Sequence, residues 1–325
     1  MKGLSETQLR QFRDLGFVMA PDVFDLSDLQ PLRDELTDVI HTAAIELKKA
    51  GKISSLYEDE PFERRLTRIM AESEDVVQAL TGRGGGGHSG KALFELITHP
   101  SILARIESLV GPEIVGSSVY RVRAKVPGYD RGVVPWHQDS GYFNPFCDDK
   151  LIVTCWIPLV DTTPENGCLR VLPYTGAGGV VEHHRGGPNG YLAIKDENLP
   201  PGDVHTVPVP AGGVLFMTNC TPHMSTPHQV DIVRWAIDVR YQSAELPNNV
   251  NEPPERYDAT LPLNEMACYP PEADFVIQSP KNPDSEISSW EQFHQIRQSY
   301  EDQRPSFRGR EWRLWDDESE VKVAG

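Results

Sequence analysis

The region between residues 114 and 241 contains many short stretches with strand character, and they constrain the fold of this chain more than any other feature. Apolar and charged side chains alternate in Tyr120–Val126, whereas Leu151–Leu159 is almost entirely apolar. Further stretches of this kind are Cys168–Leu172, Val207–Val209, Val214–Met217 and Trp235–Tyr241. Proline and glycine turns separate them, and Asn166-Gly167 between two of them is typical of a hairpin turn. This pattern predicts an antiparallel sandwich or barrel rather than a doubly wound sheet.

Helical signals dominate the first third of the chain. Ser5 and Gln8 form a capping box that predicts the start of a first helix. A second box, Ser27 with Gln30, is expected to open a longer amphipathic helix with leucines at helical spacing. Two more helices are predicted over Glu72–Leu80 and Leu93–Leu109.

The order of these elements predicts one main domain over residues 1–242, with a helical part at 1–113 and a β core at 114–242. Residues 243–325 form a proline-rich extension with 17 acidic and 8 basic side chains. The extension is expected to pack on or near the core. The side chains that can anchor it are Trp290, Phe293, Ile296, Trp312 and Trp315.

Composition excludes several classes of protein. The formal net charge of −17 argues against a nucleic-acid partner and against binding to anionic membranes. The chain has no apolar run near the roughly 20 residues that cross a bilayer, and its polar first residues do not resemble a signal peptide. The five cysteines follow no C-x-x-C spacing. We therefore expect a cytoplasmic protein with free thiols and a small-molecule ligand, and the oligomeric state stays open.

A glycine-rich segment, Gly85–Lys91, matches half of a phosphate-binding loop. Such a loop needs a preceding buried strand and a hydroxyl residue after the lysine. Here the preceding segment has a helical pattern, and Ala92 stands in place of the hydroxyl residue. We therefore interpret it as a flexible glycine-rich loop.

Three residues have the types and spacing of a metal site. His137 and Asp139 are two residues apart, so in an extended segment their side chains point to the same side. His223 follows the apolar strand Val214–Met217, far enough along the chain for several strands to return it beside the first pair. Two histidines and a carboxylate, with open positions opposite, are the facial triad of non-haem Fe(II) oxygenases.

Arg234 begins the next strand and can hold a carboxylate in a bidentate fork, while the hydroxyl of Ser225 can donate to the same group. Arg234, Ala236 and Asp238 form the less apolar face of their strand, which in a barrel-like core can line a pocket. A surface position for Arg234 is the alternative.

With these residues in place, the chain from about Glu6 to Tyr241 resembles the phytanoyl-CoA dioxygenase-like family of Fe(II)/2-oxoglutarate oxygenases. The order and spacing of several motifs carry the resemblance together. These motifs are Lys125-Val126-Pro127-Gly128, Trp136-His137-Gln138-Asp139, Cys155-Trp156-Ile157-Pro158-Leu159, Asn166-Gly167-Cys168-Leu169, Thr221-Pro222-His223-x-Ser225 and Arg234.

The resemblance implies a mainly β fold with flanking helices, whose core is a double-stranded β-helix of the jelly-roll, cupin-like type. It implies Fe(II) as cofactor and 2-oxoglutarate and O2 as co-substrates, with succinate and CO2 as products beside a hydroxylated metabolite. The implied iron ligands are His137, Asp139 and His223. The implied 2-oxoglutarate-binding residues are Arg234, Ser225, Trp156 and Arg121. Related halogenases lack the carboxylate ligand, so Asp139 favours hydroxylation.

Candidate substrate contacts rest on weaker patterns. Arg121, Arg123 and Lys125 lie on one face of a strand, which would attract a substrate carboxylate or phosphate if that face points inward; a solvated face is the alternative. His183 and His184 lie in a loop near glycines, where they can form the pocket rim or serve as ordinary loop residues.

Two further functional hypotheses belong to other classes. One is a catalytically silent jelly-roll protein that binds a metal or a partner. The other is a cupin-type metalloenzyme that does not use 2-oxoglutarate. The presence of Arg234 and Ser225 at their expected places favours the oxygenase over both.

Overall fold

The structure, a computed structural model, describes residues 2–81, 88–117, 120–129, 133–173, 179–256, 267–268, 273–303 and 310–316. The strands are β1 (Phe17–Ala20), β2 (Ile114–Gly116), β3 (Arg121–Lys125), β4 (Ile152–Pro158), β5 (Leu169–Val171), β6 (His184–Arg185), β7 (His205–Val207), β8 (Val214–Thr218), β9 (His223–Ser225), β10 (Arg234–Ser243), β11 (Phe275–Gln278) and β12 (Arg313–Leu314). The helices are α1 (Glu6–Leu15), α2 (Leu26–Lys49), α3 (Phe62–Met70), α4 (Val77–Thr81), α5 (Lys91–Ile97), α6 (Pro100–Val110) and α7 (Trp290–Gln303).

Two antiparallel sheets form the β core. The larger sheet has the order β1-β8-β4-β10-β2-β11, and β3 also pairs with β10. The smaller sheet has the order β7-β5-β9, and an isolated bridge joins His137 to His223 at the start of β9. From β4 to β10, consecutive strands thus fall in different sheets, as the predicted double-stranded β-helix requires.

Apolar side chains fill the space between the sheets and cover the outer face of the larger one. Trp156 of β4, Leu169 of β5 and Leu215 of β8 belong to one buried cluster between the sheets. A second cluster joins buried side chains of the helices, such as Leu32 of α2, to the other face of β4, represented by Cys155. The five cysteines are buried and free of disulfides. Among the described residues, no helix is both long and apolar enough to span a membrane.

The first helix begins as predicted. The Gln8 backbone N–H donates to Ser5 Oγ over 3.3 Å, and the Ser5 N–H donates to Gln8 Oε1 over 2.9 Å. The predicted box at the start of α2 is wrong. The N-cap lies two residues earlier, at Asp25, whose N–H donates to Asp28 Oδ2 over 2.9 Å. Carboxylates are favoured there because the helix N-terminus carries partial positive charge.

The helix predicted over Leu93–Leu109 is two helices, because Pro100 restricts the residue before it and cannot continue the backbone ladder. Helix α3 was not predicted, and only the second half of Glu72–Leu80 is helical, as α4. The glycines Gly85–Gly87 lie outside the described residues. The described residues before them end in α4, so in that part of the chain a helix stands where a phosphate-binding loop needs a buried strand.

The hairpin predicted at Asn166-Gly167 is wrong, because β4 and β5 belong to different sheets. The Asn166 side chain instead accepts from the Thr163 N–H and donates to the Asp161 carbonyl, which closes a turn between the sheets. Gly167 has a φ of +94°, and a Cβ there would lie 2.7 Å from Lys125 Cδ. The turn chemistry is therefore local, while tertiary packing decides which strands pair.

Residues beyond 242 contribute to the core itself. Strand β11 pairs with β2 and extends the larger sheet. Phe293 of α7 packs against Phe94 of α5 and Phe275 of β11, with ring centroids 5.3 and 5.0 Å apart. Farther along, β12 forms a parallel pair with β6. The extension therefore supplies a strand and a helix to the same packed body.

Candidate metal centre

His137, Asp139 and His223 meet in one buried cluster. Each offers a ligand atom, and these atoms all lie within 4.8 Å of one another. The backbones of His137 and His223 exchange two hydrogen bonds of 3.1 and 2.9 Å, which place the imidazole centroids 4.2 Å apart. Asp139 opens a short 3-10 turn, Asp139–Gly141.

Backbone carbonyls fix the orientation of both imidazoles. His137 Nδ1 lies 2.9 Å from the Pro135 carbonyl, and His223 Nδ1 lies 3.0 Å from the Thr221 carbonyl. When each Nδ1–H donates to its carbonyl, each Nε2 lone pair is left for a metal. Burial lowers the pKa of His137 to about 3, and the neighbouring His223 contributes. A neutral His137 is the form that binds metal.

Arg240, which was not predicted from the sequence, holds Asp139. Arg240 donates from Nη2 to Asp139 Oδ1 over 2.8 Å and from Nε to Oδ2 over 3.1 Å, and Thr154 Oγ1 donates to Oδ2 over 2.5 Å. Burial alone would raise the pKa of Asp139, but Arg240 and His223 outweigh it and hold that pKa well below its usual range. Asp139 is therefore a fixed carboxylate.

Asp238 links two of the cations in the cavity. Arg123 Nε donates to Asp238 Oδ1 over 2.5 Å, and Arg240 Nη1 lies 3.4 Å from Oδ2. Arg234, Asp238 and Arg240 lie on one face of β10, because side chains in a strand alternate between faces. Extending the predicted cavity face two residues beyond Asp238 would therefore have identified Arg240.

Arg234, Lys125 and Ser225 lie together at one end of the cavity. The Arg234 side chain is 2% exposed, and its Nε and Nη1 have no hydrogen-bond partner among the described residues. Its guanidinium carbon lies 5.3 Å from the ring centroid of Trp156. Burial, then repulsion by Arg123, lowers the pKa of Arg234 to about 9. A bound anion would stabilise this buried and unpartnered cation.

Lys125 faces the same end from β3, opposite Arg234 in the sheet register. Its Nζ donates to Ser225 Oγ over 2.9 Å and to the Thr226 carbonyl. Burial, with a contribution from the Arg234 charge, lowers the pKa of Lys125 to about 7. Lys125 was predicted as a substrate contact; it lies beside Ser225 and Arg234 and also lines a larger cleft beside this cavity.

Three predicted site residues lie elsewhere. Arg121 is not among the residues that line the cavity, because it lies about 13 Å along β3 from Lys125, and its Nη1 donates to the Tyr120 carbonyl. His183 and His184 do not form the pocket rim. His183 is buried behind the metal segment, where Nε2 accepts from the Gln138 N–H over 3.0 Å. His184 is buried in β6 and bridged to Ala193.

The metal cluster lines a cavity of about 420 Å³, together with Arg123, Trp156 and Arg234. A larger cleft of about 820 Å³ lies beside it, and Arg123, Val134 and Arg234 line both. The other walls of the cleft are mainly apolar and come from α3, α4 and β3, with Tyr129 and Tyr191.

The residues present fit Fe(II) and 2-oxoglutarate. Two imidazole nitrogens and one carboxylate leave several positions of an octahedral ion open. The unpartnered Arg234 gives a dicarboxylate a second, remote point of attachment. A buried triad of this type on a double-stranded β-helix defines the class of non-haem Fe(II)/2-oxoglutarate oxygenases.

Within that class, residues 12–236 match the family model described as Phytanoyl-CoA dioxygenase (PhyH). The match covers more than half of the chain, and the protein belongs to this family. The expected iron and 2-oxoglutarate dependence is confirmed at the level of the family, and the facial triad is intact.

Individual relatives are distant. Human peroxisomal phytanoyl-CoA dioxygenase is 28% identical over 255 residues, which cover 74% of this chain and 69% of that protein. The apo structure of the non-haem monooxygenase ThoJ has a TM-score of 0.55 and 17% identity, covering 90% of this chain and 96% of the other. The epimerase SnoN, solved with Fe3+, alpha-ketoglutarate and nogalamycin RO, has a TM-score of 0.52 and 20% identity, covering 84% and 98%. The two structures support the fold.

Proposed function

We propose that this protein hydroxylates a small or medium-sized metabolite while it converts 2-oxoglutarate and O2 to succinate and CO2. The observation that carries the proposal is the joint presence, in one cavity, of the intact triad and the unpartnered guanidinium of Arg234. The triad accounts for a metal, and Arg234 accounts for a dicarboxylate that reaches from the metal to a buried cation.

Arg234 and Lys125 would bind the distal carboxylate of 2-oxoglutarate, and Ser225 Oγ would donate to it. Arg234 can donate to it, since its Nε and Nη1 have no hydrogen-bond partner among the described residues. Trp156 stacks against the guanidinium and limits its rotation. Binding of the carboxylate would neutralise a cavity end that now holds two facing cations.

The triad residues would bind Fe(II) through His137 Nε2, His223 Nε2 and a carboxylate oxygen of Asp139. Bound Fe(II), with 2-oxoglutarate and O2, supplies the oxidation that places one oxygen atom in a substrate C–H bond and the other in succinate. Arg240 and Thr154 keep Asp139 ionised and oriented, so that its position does not change between turnovers.

The cleft beside the metal cavity is the proposed substrate site. Its lining combines apolar side chains with a few charged and phenolic ones, as is typical of pockets for small and medium ligands. Its apolar walls favour an apolar body, and Arg123, exposed by 33%, lies where the cleft meets the metal cavity. Given the human relative's name, acyl-coenzyme A thioesters and their free acids are the first compounds to screen.

The test is succinate formation by protein purified without oxygen and reconstituted with Fe(II). The assay supplies 2-oxoglutarate, air and ascorbate, first alone and then with each candidate substrate. We expect slow succinate release that increases with the right substrate and is lost in Asp139→Ala. Absence of 2-oxoglutarate binding by the Fe(II)-loaded protein would refute the proposal and favour a cupin-type enzyme or a silent binding protein.

A further inference from the structure

Residues 310–316, here called the C-terminal strap, cross the outer side of the metal centre. They lie beyond residues 12–236, where the chain matches its family. Their side chains donate hydrogen bonds to carbonyls between Ser140 and Phe143, directly after the metal ligand Asp139.

Two strap side chains donate hydrogen bonds to carbonyls of this turn. Trp312 Nε1 donates to the Gly141 carbonyl over 2.8 Å. Arg310 Nε lies 3.1 Å from the Ser140 carbonyl and 3.2 Å from the Phe143 carbonyl. The Arg310 guanidinium also forms an ion pair with Asp148, farther along the same loop. The strap thus satisfies acceptors on both residues directly after Asp139.

A third contact reaches the residue between the two ligands. The Trp312 ring packs on the His183 ring, with centroids 5.2 Å apart. His183 Nε2 accepts from the Gln138 N–H over 3.0 Å, and its Nδ1 lies 2.8 Å from the Val181 carbonyl. A Cβ on Gly141 would lie 2.8 Å from the His183 ring, so glycine permits this approach. Trp312 therefore contacts His183, which in turn binds the backbone between the metal ligands His137 and Asp139.

The strap has its own anchors on the other side. Strand β12 pairs with β6, the Arg185 Nε donates to the Trp312 carbonyl over 2.9 Å, and the Trp315 N–H donates to the Arg185 carbonyl over 2.8 Å. Lys195 lies 5.7 Å from the Trp315 ring centroid. These contacts hold the strap without involving the metal turn, so it can serve as a fixed support.

We propose that the C-terminal strap positions the metal-binding turn, with Trp312 and Arg310 as positioning residues that act on His137 and Asp139 through the backbone and His183. The inference rests on the proposed metal site at the triad. The physical reason is that, among the described residues, the Gly141 carbonyl of this short 3-10 turn accepts no backbone hydrogen bond, so Trp312 supplies its donor; the Ser140 carbonyl already accepts from the Phe143 N–H. Groups that orient metal ligands from behind typically contribute 10- to 100-fold to metal affinity.

The experiment compares metal binding in matched variants. Trp312→Phe keeps a ring against His183 and removes the donor to Gly141. Arg310→Gln removes the Nε donor shared by Ser140 and Phe143, and it removes the ion pair. Trp315→Phe and Arg313→Ala are controls, since they alter strap residues that face away from the turn. Co(II) is titrated anaerobically into each metal-free protein by visible absorption, and thermal unfolding is recorded on the same samples.

We expect Trp312→Phe and Arg310→Gln each to weaken Co(II) binding about tenfold, with unfolding temperatures close to those of the controls. Unchanged Co(II) affinity in both variants would overturn the proposal. So would an equal loss in the controls, since the strap would then only add general stability. The metal assignment is tested separately: if wild-type protein binds Co(II) no better than His223→Ala, the triad is not the metal site and both proposals fail.

Discussion

Replacing Arg234 by methionine is expected to stabilise the co-substrate-free protein while it weakens 2-oxoglutarate binding. The side chain is 2% exposed, and burial lowers its pKa to about 9. Each tenfold change in a proton-dissociation constant corresponds to about 1.4 kcal/mol, so the buried charge costs the folded protein on the order of 4–5 kcal/mol. Loss of the contact with Trp156 destabilises the variant by about 0.5–2 kcal/mol, which offsets part of the gain from removing the charge. Allowing for relaxation, we expect a net gain of about 1–3 kcal/mol in the free energy of unfolding.

The same substitution removes the proposed partner of the distal carboxylate. Truncation of one member of a buried charge pair costs at least about 2 kcal/mol of binding, or roughly 30-fold in the dissociation constant. Urea unfolding of the metal-free protein measures the first effect, and calorimetric titration of 2-oxoglutarate into the Co(II)-loaded protein measures the second.

Arg297→Met is the matched control. Arg297 is also buried, at 1% exposure, but its Nε donates to Glu301 Oε1 over 3.1 Å. We expect this variant to lose stability and to keep its 2-oxoglutarate affinity. The reasoning about Arg234 is refuted if Arg234→Met is destabilised as Arg297→Met is, or if it binds 2-oxoglutarate as the wild type does.

Three further predictions follow from the geometry of the core. A bound carboxylate will raise the pKa of Lys125 from about 7, so 2-oxoglutarate affinity should fall by up to about tenfold per pH unit as the pH rises from 7; calorimetry on Lys125→Met should show no such fall. Arg240→Met leaves Asp139 without its buried partner and should lower the free energy of unfolding by about 3–5 kcal/mol, so an unchanged urea midpoint would contradict it. Gly167→Ala should destabilise the protein by about 1–3 kcal/mol. The loss should exceed that of Gly111→Ala, because both glycines have a positive φ but only Gly167 has the Lys125 side chain close by. Equal melting temperatures of the two variants would show that the contact with Lys125 is unimportant.

Elements with local signals could be predicted from the sequence. The capping box of Ser5 and Gln8 defines the start of α1, because its two hydrogen bonds involve residues three apart. The alternating and apolar stretches likewise predicted β3, β4, β8 and β10, since side chains in strands repeat every two residues. The metal triad followed from residue type and from the chain length between its members.

Pairings between distant segments could not be predicted in this way. The turn at Asn166-Gly167 has hairpin chemistry, but the strand that follows it pairs in the other sheet. The period of two along β10 places Arg240 on the cavity face, but nothing local indicates its partner, Asp139, which lies about a hundred residues away in the chain. The location of His183 behind the metal segment depends on Trp312 near the end of the chain, and no local pattern connects the two.

The central claim is that the triad and Arg234 bind Fe(II) and 2-oxoglutarate in one cavity. Its most direct test is anaerobic absorption spectroscopy of the metal-free protein as Fe(II) and then 2-oxoglutarate are added. We predict a visible charge-transfer band from the metal–co-substrate chelate that requires both additions. The band should be lost in His223→Ala, and in Arg234→Met it should require much more 2-oxoglutarate. No band in the wild type, or a band unchanged in both variants, would contradict the assignment of this cavity.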